Sequence, residues 1–367
     1  MIRVLHYGLS SHLGGIETYL YKLYSNVNRD EIKFDFLILG DEKPCYYNEF
    51  KDMGSTFYFV SSRRKNPIRN SYDVSKVLKN ESFDLIHCHL NSLSYTVPVT
   101  KGLKYNYPVI VHSRNAGILS NKLSHFFHLL NKTKFPYNET IALSVSRKAG
   151  EWMFGEKHQF TTINNGVDIE KYRFDLDFRN SIRRELSLKE NEKLILNVGA
   201  LRGQKNHSFI LKVFDEILKK DSNYKLMLVG EGSLEEKIRR EIEELNLQDK
   251  VIFSGNRNDI PAVLSGADVF LFPSLYEGFP NAVLEAQTSG LPCIISSEIS
   301  TEVMIRKNCI QISLEETEES WANKVIEIDK ESERQFAAED VDSKGFSVKA
   351  EVEKIEQIYY NIVTEKR

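Results

Sequence analysis

Short apolar runs alternate with longer amphipathic stretches along this chain, the pattern of repeated strand–helix–strand units around a parallel sheet. The runs predict strands at Ile2–Tyr7, Phe34–Leu39, Thr56–Val60, Leu85–Cys88, Val109–His112 and Ile141–Val145. A second series follows at Leu194–Val198, Leu226–Val229, Val251–Ser254, Val269–Phe272 and Cys293–Ser296, with helices near 206–220, 233–246 and 281–289. Between the two lies Asn164-Asn165-Gly166-Val167-Asp168 and then a charged, weakly periodic stretch to about Asn191, which suits a connection. The expected domains are therefore 1–168 and 192–345, joined by a connector at 169–191. After about Ser300 the strand pattern fades, and a helix near 348–364 finds no partner in the second series, so 346–367 is expected to cross back to the first domain. The predicted class is α/β, with two Rossmann-like domains facing across a central cleft lined by strand C-termini and helix N-termini.

Length supports two domains, because 367 residues exceed what one core comfortably accommodates. The four cysteines are scattered without a CxxC pair, which argues against a disulfide framework or a cysteine zinc site. Ile2–Tyr7 is too short for a signal-peptide core and no apolar run approaches bilayer-spanning length, so a cytoplasmic protein is expected. Charge is uneven: residues 51–150 carry 15 Lys/Arg against 5 Asp/Glu, a local +10 suited to an anionic surface, whereas the whole chain is at −3. No nucleic-acid partner is expected.

Three loops carry candidate chemistry. The first strand runs into Gly14-Gly15-Ile16-Glu17, where glycines before a helix allow backbone amides to approach an anion. The strand Leu194–Val198 runs into Gly199-Ala200-Leu201-Arg202-Gly203-Gln204-Lys205, placing a lysine where it would neutralise a phosphate. In Glu277-Gly278-Phe279-Pro280-Asn281-Ala282-Val283-Leu284-Glu285, two carboxylates bracket a helix start whose amides favour negative charge. His87, His89 and His112 close two strands, and His89 and His112 are candidate substrate contacts; with no carboxylate nearby in sequence the three are not expected to bind metal. Asp175-Leu176-Asp177 spells DxD, but within the connector it reads as chance.

Together these segments, with Asp84-Leu85-Ile86-His87-Cys88-His89, Asn165-Gly166-Val167-Asp168, Val229-Gly230-Glu231-Gly232 and Phe272-Pro273-Ser274, resemble family 4 glycosyltransferases of the GT-B fold, particularly bacterial enzymes of capsule and exopolysaccharide assembly. The resemblance spans nearly the whole chain. It implies retaining, metal-independent transfer from a nucleotide-diphosphate sugar, most often UDP-linked, to a glycan or lipid-linked acceptor, with no cofactor. It further implies that Lys205 binds the diphosphate with help from Gly14 and Gly15. Glu285 would hold the ribose, and Glu277 with Gly278, Phe279, Pro280, Asn281, Ala282 and Val283 the donor sugar. Asn256 and Arg257 would border the base, and His112 would touch the sugar, making His112, Lys205 and Glu277 the catalytic set. His89, Arg114 and Glu17 would lie on the acceptor side. The family usually has arginine where this chain has Ala200, so Arg202 is expected to reach the same phosphate. That departure keeps open a donor-binding but inactive partner subunit; a nucleotide-sugar epimerase is a third reading.

The basic span suggests where the protein works. Arg63-Arg64-Lys65 is a cluster, and Leu119, Leu123, Phe126, Phe127 and Leu130 share one helical face with Lys122 and Lys132 off it. Residues 51–135 are therefore a candidate for peripheral attachment to an anionic membrane at its inner face.

Overall fold

The computed structural model describes residues 1–117, 121–328 and 334–365, so Leu119 lies outside the described residues. The chain forms two compact units, one of Met1–Gly166 with the segment from Val348 onward, the other Val167–Ser347.

The first unit runs β1 (Ile2–Tyr7), α1 (Gly15–Asn26), β2 (Ile32–Leu39), α2 (Tyr47–Asp52), β3 (Phe57–Val60), α3 (Pro67–Asn80), β4 (Leu85–Leu90), α4 (Val97–Lys104), β5 (Val109–Ser113), α5 (Lys122–Lys132), β6 (Ile141–Ser144), α6 (Arg147–Phe154) and β7 (Thr161–Thr162). Its strands form a parallel sheet in the order β3-β2-β1-β4-β5-β6-β7. The strands are buried on both faces, which explains their nearly unbroken apolar runs. One face packs Val4, Phe34, Phe36, Leu85 and Ile110 against Tyr19, Leu20 and Leu23 of α1. The other packs Leu5, Leu37, Ile86 and Val111 against Val74, Leu78 and Val99 of α3 and α4.

The second unit runs α7 (Ile169–Tyr172), α8 (Leu176–Glu185), β8 (Lys193–Val198), α9 (His207–Lys220), β9 (Tyr224–Val229), α10 (Glu235–Glu244), β10 (Val251–Phe253), α11 (Ile260–Gly266), β11 (Val269–Phe272), α12 (Asn281–Thr288), β12 (Cys293–Ser296), β13 (Cys309–Ile312), α13 (Glu318–Ile328) and α14 (Ala337–Ser343). The sheet order is β10-β9-β8-β11-β12-β13, again parallel. Helix α15 (Val348–Glu365) belongs to the first unit, where Val348, Val352, Ile355 and Tyr359 join the core beside α1.

Two stretches differ from the sequence reading. Residues 169–191 are not a plain connector: α7 and α8 fold within the second unit. Helix α8 docks with one buried apolar residue, Ile182, against Gly266, and with Arg179 and Arg183 on Asp268 at 2.6 and 3.0 Å. A helix anchored by ion pairs leaves little apolar periodicity to read. Its start explains the DxD, since Asp175 is the N-cap and its carboxylate accepts from the Phe178 amide. Beyond Ser300, β13 extends the sheet beside β12, and Trp321 and Val325 of α13 enter the core.

Candidate functional site

In the second unit the loops leaving β8 and β11 are stitched together. The Gln204 side chain donates to the Tyr276 carbonyl at 2.8 Å, and the Leu275 amide donates to the Gln204 carbonyl at 2.8 Å. The β9 loop packs beneath them: Gly230 has φ +137°, and a Cβ there would come within 2.2 Å of the Gly199 carbonyl oxygen, so only glycine fits.

This framework fixes Lys205. It ends a short 3₁₀ turn, Gly203–Lys205, ahead of α9, and its ammonium lies 2.7 Å from Glu277 Oε1 and 4.5 Å from the Phe272 ring centroid. The two side chains are only 17% and 11% exposed, so the pair is sheltered while its cation remains reachable. Behind it α12 begins at Asn281 with Pro280 as N-cap, which offers no side-chain cap, so the positive end of the helix dipole lies at this loop. Phe279 is buried and stacks with Phe346 at 6.0 Å, and Val283 is buried, so these two shape the loop from below. Glu285 sits on the second turn of α12, hydrogen-bonded to Tyr172 of α7, whose phenol pKa is pushed up by burial and by this carboxylate. Nothing in the sequence singles out Tyr172, because the segment carrying it is charged and weakly periodic and reads as a connector.

The structure brings Lys205, Glu277, Gly278, Asn281, Ala282 and Glu285 into one neighbourhood of loops and helix starts at the C-terminal ends of β8 and β11. Arg202 is exposed, and its guanidinium makes no ion pair among the described residues. Arg257 departs from expectation. Glu185 and Asp259 grip it at 2.6 Å each, raising its already high pKa, so its charge is spent bracing its loop to α8; Asn256 beside it is exposed.

The first unit presents a different arrangement. Gly14 is the N-cap of α1 and Gly15 its first residue, with open space where a Cβ would stand. Glu17 is buried and accepts from the Ser10 amide and hydroxyl at 3.0 and 2.8 Å, so it braces the preceding loop instead of offering a carboxylate to an acceptor. That loop must hug β4, because at Gly8 (φ +141°) a Cβ would lie 2.9 Å from His89.

His6, His87, His89 and His112 occupy one sheet face on three neighbouring strands, paired in register as His6 with His87 and His89 with His112. All four are buried. His112 and His89 therefore do not reach the surface, contrary to the roles expected for them. His112 Nε2 faces the Arg114 guanidinium at 3.3 Å, and its Nδ1 faces His87 Nε2 at 3.2 Å, while His87 Nδ1 meets the Tyr359 hydroxyl at 2.7 Å. Arginine only donates, so His112 carries its proton on Nδ1 and passes that orientation to His87 and Tyr359. Arg114, half-buried, stacks on Tyr19 at 3.6 Å and donates to Asn165 Oδ1 at 2.9 Å, so it caps this end of the network. His6, Tyr19 and Tyr359 were invisible to sequence reasoning, because nothing in the spacing shows that β1 adjoins β4 or that α15 returns to this sheet. His6, His87 and His89 each place a ring nitrogen within 4.8 Å of the others, a donor set that could take a cation, although His6 Nδ1 and His89 Nε2 already face each other at 3.0 Å.

Burial lowers the pKa of these imidazoles, His6 to about 3 and the others well below the ordinary value, and likewise lowers His128 and His207 to about 4. Folded, they stay neutral, whereas unfolded they protonate near 6.5. Their contribution to stability is thus complete above about pH 6.5 and is lost as pH falls toward the folded values, each group costing up to about 1.4 kcal/mol per pH unit in between. We expect thermal stability to drop steeply from pH 7 to pH 5, and less steeply in His6→Phe. Parallel Tm profiles for the two proteins would refute the assignment of His6 to this group.

Two family models match the chain: "Glycosyltransferase Family 4" over residues 13–171 and "Glycosyl transferases group 1" over 178–339. The glycosyltransferase EpsF of Bacillus subtilis is 28% identical, covering 99% of this chain and 97% of its own. An Escherichia coli UDP-Gal:alpha-D-GlcNAc-diphosphoundecaprenol alpha-1,3-galactosyltransferase is 24% identical, covering 100% and 98%. In fold, the chain matches Anabaena HepE, solved in complex with UDP-glucose, with a TM-score of 0.79 over 98% of this chain and 100% of HepE at 16% identity. With two parallel-sheet Rossmann-like units and both family models in tandem, the chain belongs to the family 4 glycosyltransferases of the GT-B fold.

Proposed function

We propose that this glycosyltransferase moves a hexose or N-acetylhexosamine, with retention of configuration and without a metal, from a UDP-sugar to a glycan or lipid-linked acceptor in bacterial cell-surface polysaccharide assembly. The observation that carries this reading is the sheltered Lys205–Glu277 pair in front of the α12 N-terminus, with Glu285 behind it. A cation beside a helix start suits a diphosphate, and carboxylates on either side suit sugar and ribose hydroxyls. The E. coli relative, named for a UDP-sugar donor and a diphosphoundecaprenol-linked acceptor, supports the substrate classes.

In the reaction the sugar C1–O bond to UDP breaks, the acceptor oxygen bonds to C1 from the same face, and the acceptor proton passes to the departing phosphate oxygen. Lys205 and Arg202 stabilise the charge on that phosphate, which is expected to be the largest catalytic contribution. The exposed position of Arg202 supports its standing in for the arginine missing at Ala200. In the first unit Arg114 is the acceptor-side group, with His112 positioning it. The test is transfer by purified protein from UDP-sugars to a lipid-linked acceptor in EDTA, with the product anomer read by NMR. Retained configuration and undiminished activity are expected. An inverted anomer or an absolute need for Mn²⁺ or Mg²⁺ would overturn the mechanism, and UDP binding without turnover would favour the inactive partner subunit.

We place the enzyme at the inner face of the membrane through α5. This helix attaches to the first unit by its polar residues: His128 Nδ1 accepts from the Leu93 amide at 3.0 Å, and Asn131 and Lys132 donate to the Leu93 and Trp152 carbonyls. Its apolar residues face outward, with Leu123, Phe126, Phe127, Leu129 and Leu130 from 41% to 62% exposed. An apolar face turned away from its own domain beside basic residues supports shallow insertion among anionic headgroups. No helix among the described residues is long and apolar enough to cross a membrane. Sedimentation with anionic vesicles at low salt, weakened at high salt and in Phe126→Ser, is expected. Equal sedimentation with neutral vesicles, or none, would contradict this placement.

A further inference from the structure

Beside the exposed face of α5 the first unit holds a cavity of about 490 Å³. Its lining joins residues from the starts of three helices: Arg63, Arg64 and Pro67 at α3, Tyr95 at α4, and Leu123 and Phe127 at α5. The floor is fixed. Asn70, fully buried, donates to the Ser61 carbonyl at 2.7 Å and accepts from the Tyr95 hydroxyl at 2.7 Å, and the Arg63 guanidinium lies 4.9 Å from the Tyr95 ring centroid. Neither Arg63 nor Arg64 makes an ion pair among the described residues, and no carboxylate appears among the described residues lining the cavity. The α4 N-terminus, at Thr96, lacks a side-chain cap.

These features sort by polarity. One side of the cavity offers two unpaired guanidiniums near helix starts, which is anion-binding chemistry. The other side is Leu123 and Phe127, continuous with the exposed apolar residues of α5. A free inorganic anion would use only the first side and a neutral amphiphile only the second. We propose that this cavity seats the phosphate end of a lipid-linked acceptor, with Arg63 and Arg64 on the phosphates and the first carbons of the tail lying over Leu123 and Phe127 toward the membrane-facing side of α5. The inference rests on the acceptor being lipid-linked, and it adds the place where that lipid is held.

The probe is farnesyl diphosphate, titrated calorimetrically into the full chain with saturating UDP so that the donor site is filled. Binding is expected, weakened about tenfold or more in Arg63→Ala/Arg64→Ala and several-fold in Phe127→Ser, an exposed position where folding is not at stake. Lys101→Ala/Lys104→Ala, in the same basic span of the sequence but outside the cavity, should leave it unchanged, and inorganic pyrophosphate should bind at least about tenfold more weakly. Unaltered affinity in the arginine and Phe127 variants, an equal loss in the lysine variant, or pyrophosphate binding as tightly as the lipid would each overturn the proposal. UDP affinity, measured on the same samples, separates the two readings: its absence in the unmodified protein would sink the donor assignment, and its presence without lipid binding would sink this inference alone.

Discussion

Lys205→Ala is expected to lower transfer about 10²–10³-fold while leaving the second unit folded, the scale typical of removing one preorganised group from a developing anion. Lys205 is held by the 3₁₀ turn, by Glu277 and by the Phe272 ring, so its charge waits at fixed geometry before the donor arrives. Glu277 in the resting protein keeps the ammonium from pairing elsewhere, and a diphosphate with more charge would draw it away. The substitution also leaves Glu277 sheltered without its cation, so a modest loss of Tm should accompany the kinetic loss. Lys205→Arg, which keeps the charge on a longer, planar group, should recover part of the rate. Turnover in Lys205→Ala near that of the unmodified protein would remove Lys205 from the mechanism.

Glu285→Gln is expected to weaken UDP itself by about ten- to a hundredfold, the range for losing charge-assisted hydrogen bonds to ribose hydroxyls, whatever sugar is attached. Glu277→Gln should instead act mainly on turnover and sugar preference, since its proposed partner is the transferred sugar. Tyr172→Phe offers an intermediate case: it removes the phenol that holds Glu285 without removing the carboxylate, so UDP should weaken only a few-fold. Calorimetric UDP affinities for the three variants decide the division of labour, and equal losses for Glu277→Gln and Glu285→Gln would show it to be wrong.

What was legible in the sequence followed from periodicity and local chemistry. Strands buried on both faces announce themselves as apolar runs, and the loop after each was readable because its glycines, lysine and carboxylates sit at strand ends. What was not legible depended on elements meeting in space. Helix α8 hides behind ion pairs to Asp268, and the partners of Glu285 and His87 come from α7 and α15, 113 and 272 positions away in the chain respectively. His112 and His89 illustrate the limit of strand-end reasoning. The C-terminal end of a strand in a parallel sheet is the right place for a substrate contact, but α1 and α15 cover this face with Tyr19 and Tyr359, and the half-buried Arg114 closes its end. For α5 the sequence shows the apolar stripe but not its direction. Only the polar anchoring through His128 and Asn131 reveals that the stripe faces outward.

The central claim, that the loops at the C-terminal ends of β8 and β11 hold the nucleotide diphosphate, is tested most directly by hydrogen-exchange mass spectrometry of the full chain with and without UDP. Bound diphosphate should slow exchange in residues 199–206 and 274–286, where backbone amides and the α12 N-terminus would meet it, and this protection should disappear in Lys205→Ala at the same UDP concentration. Saturating UDP that leaves both segments exchanging at their unliganded rates would contradict the account.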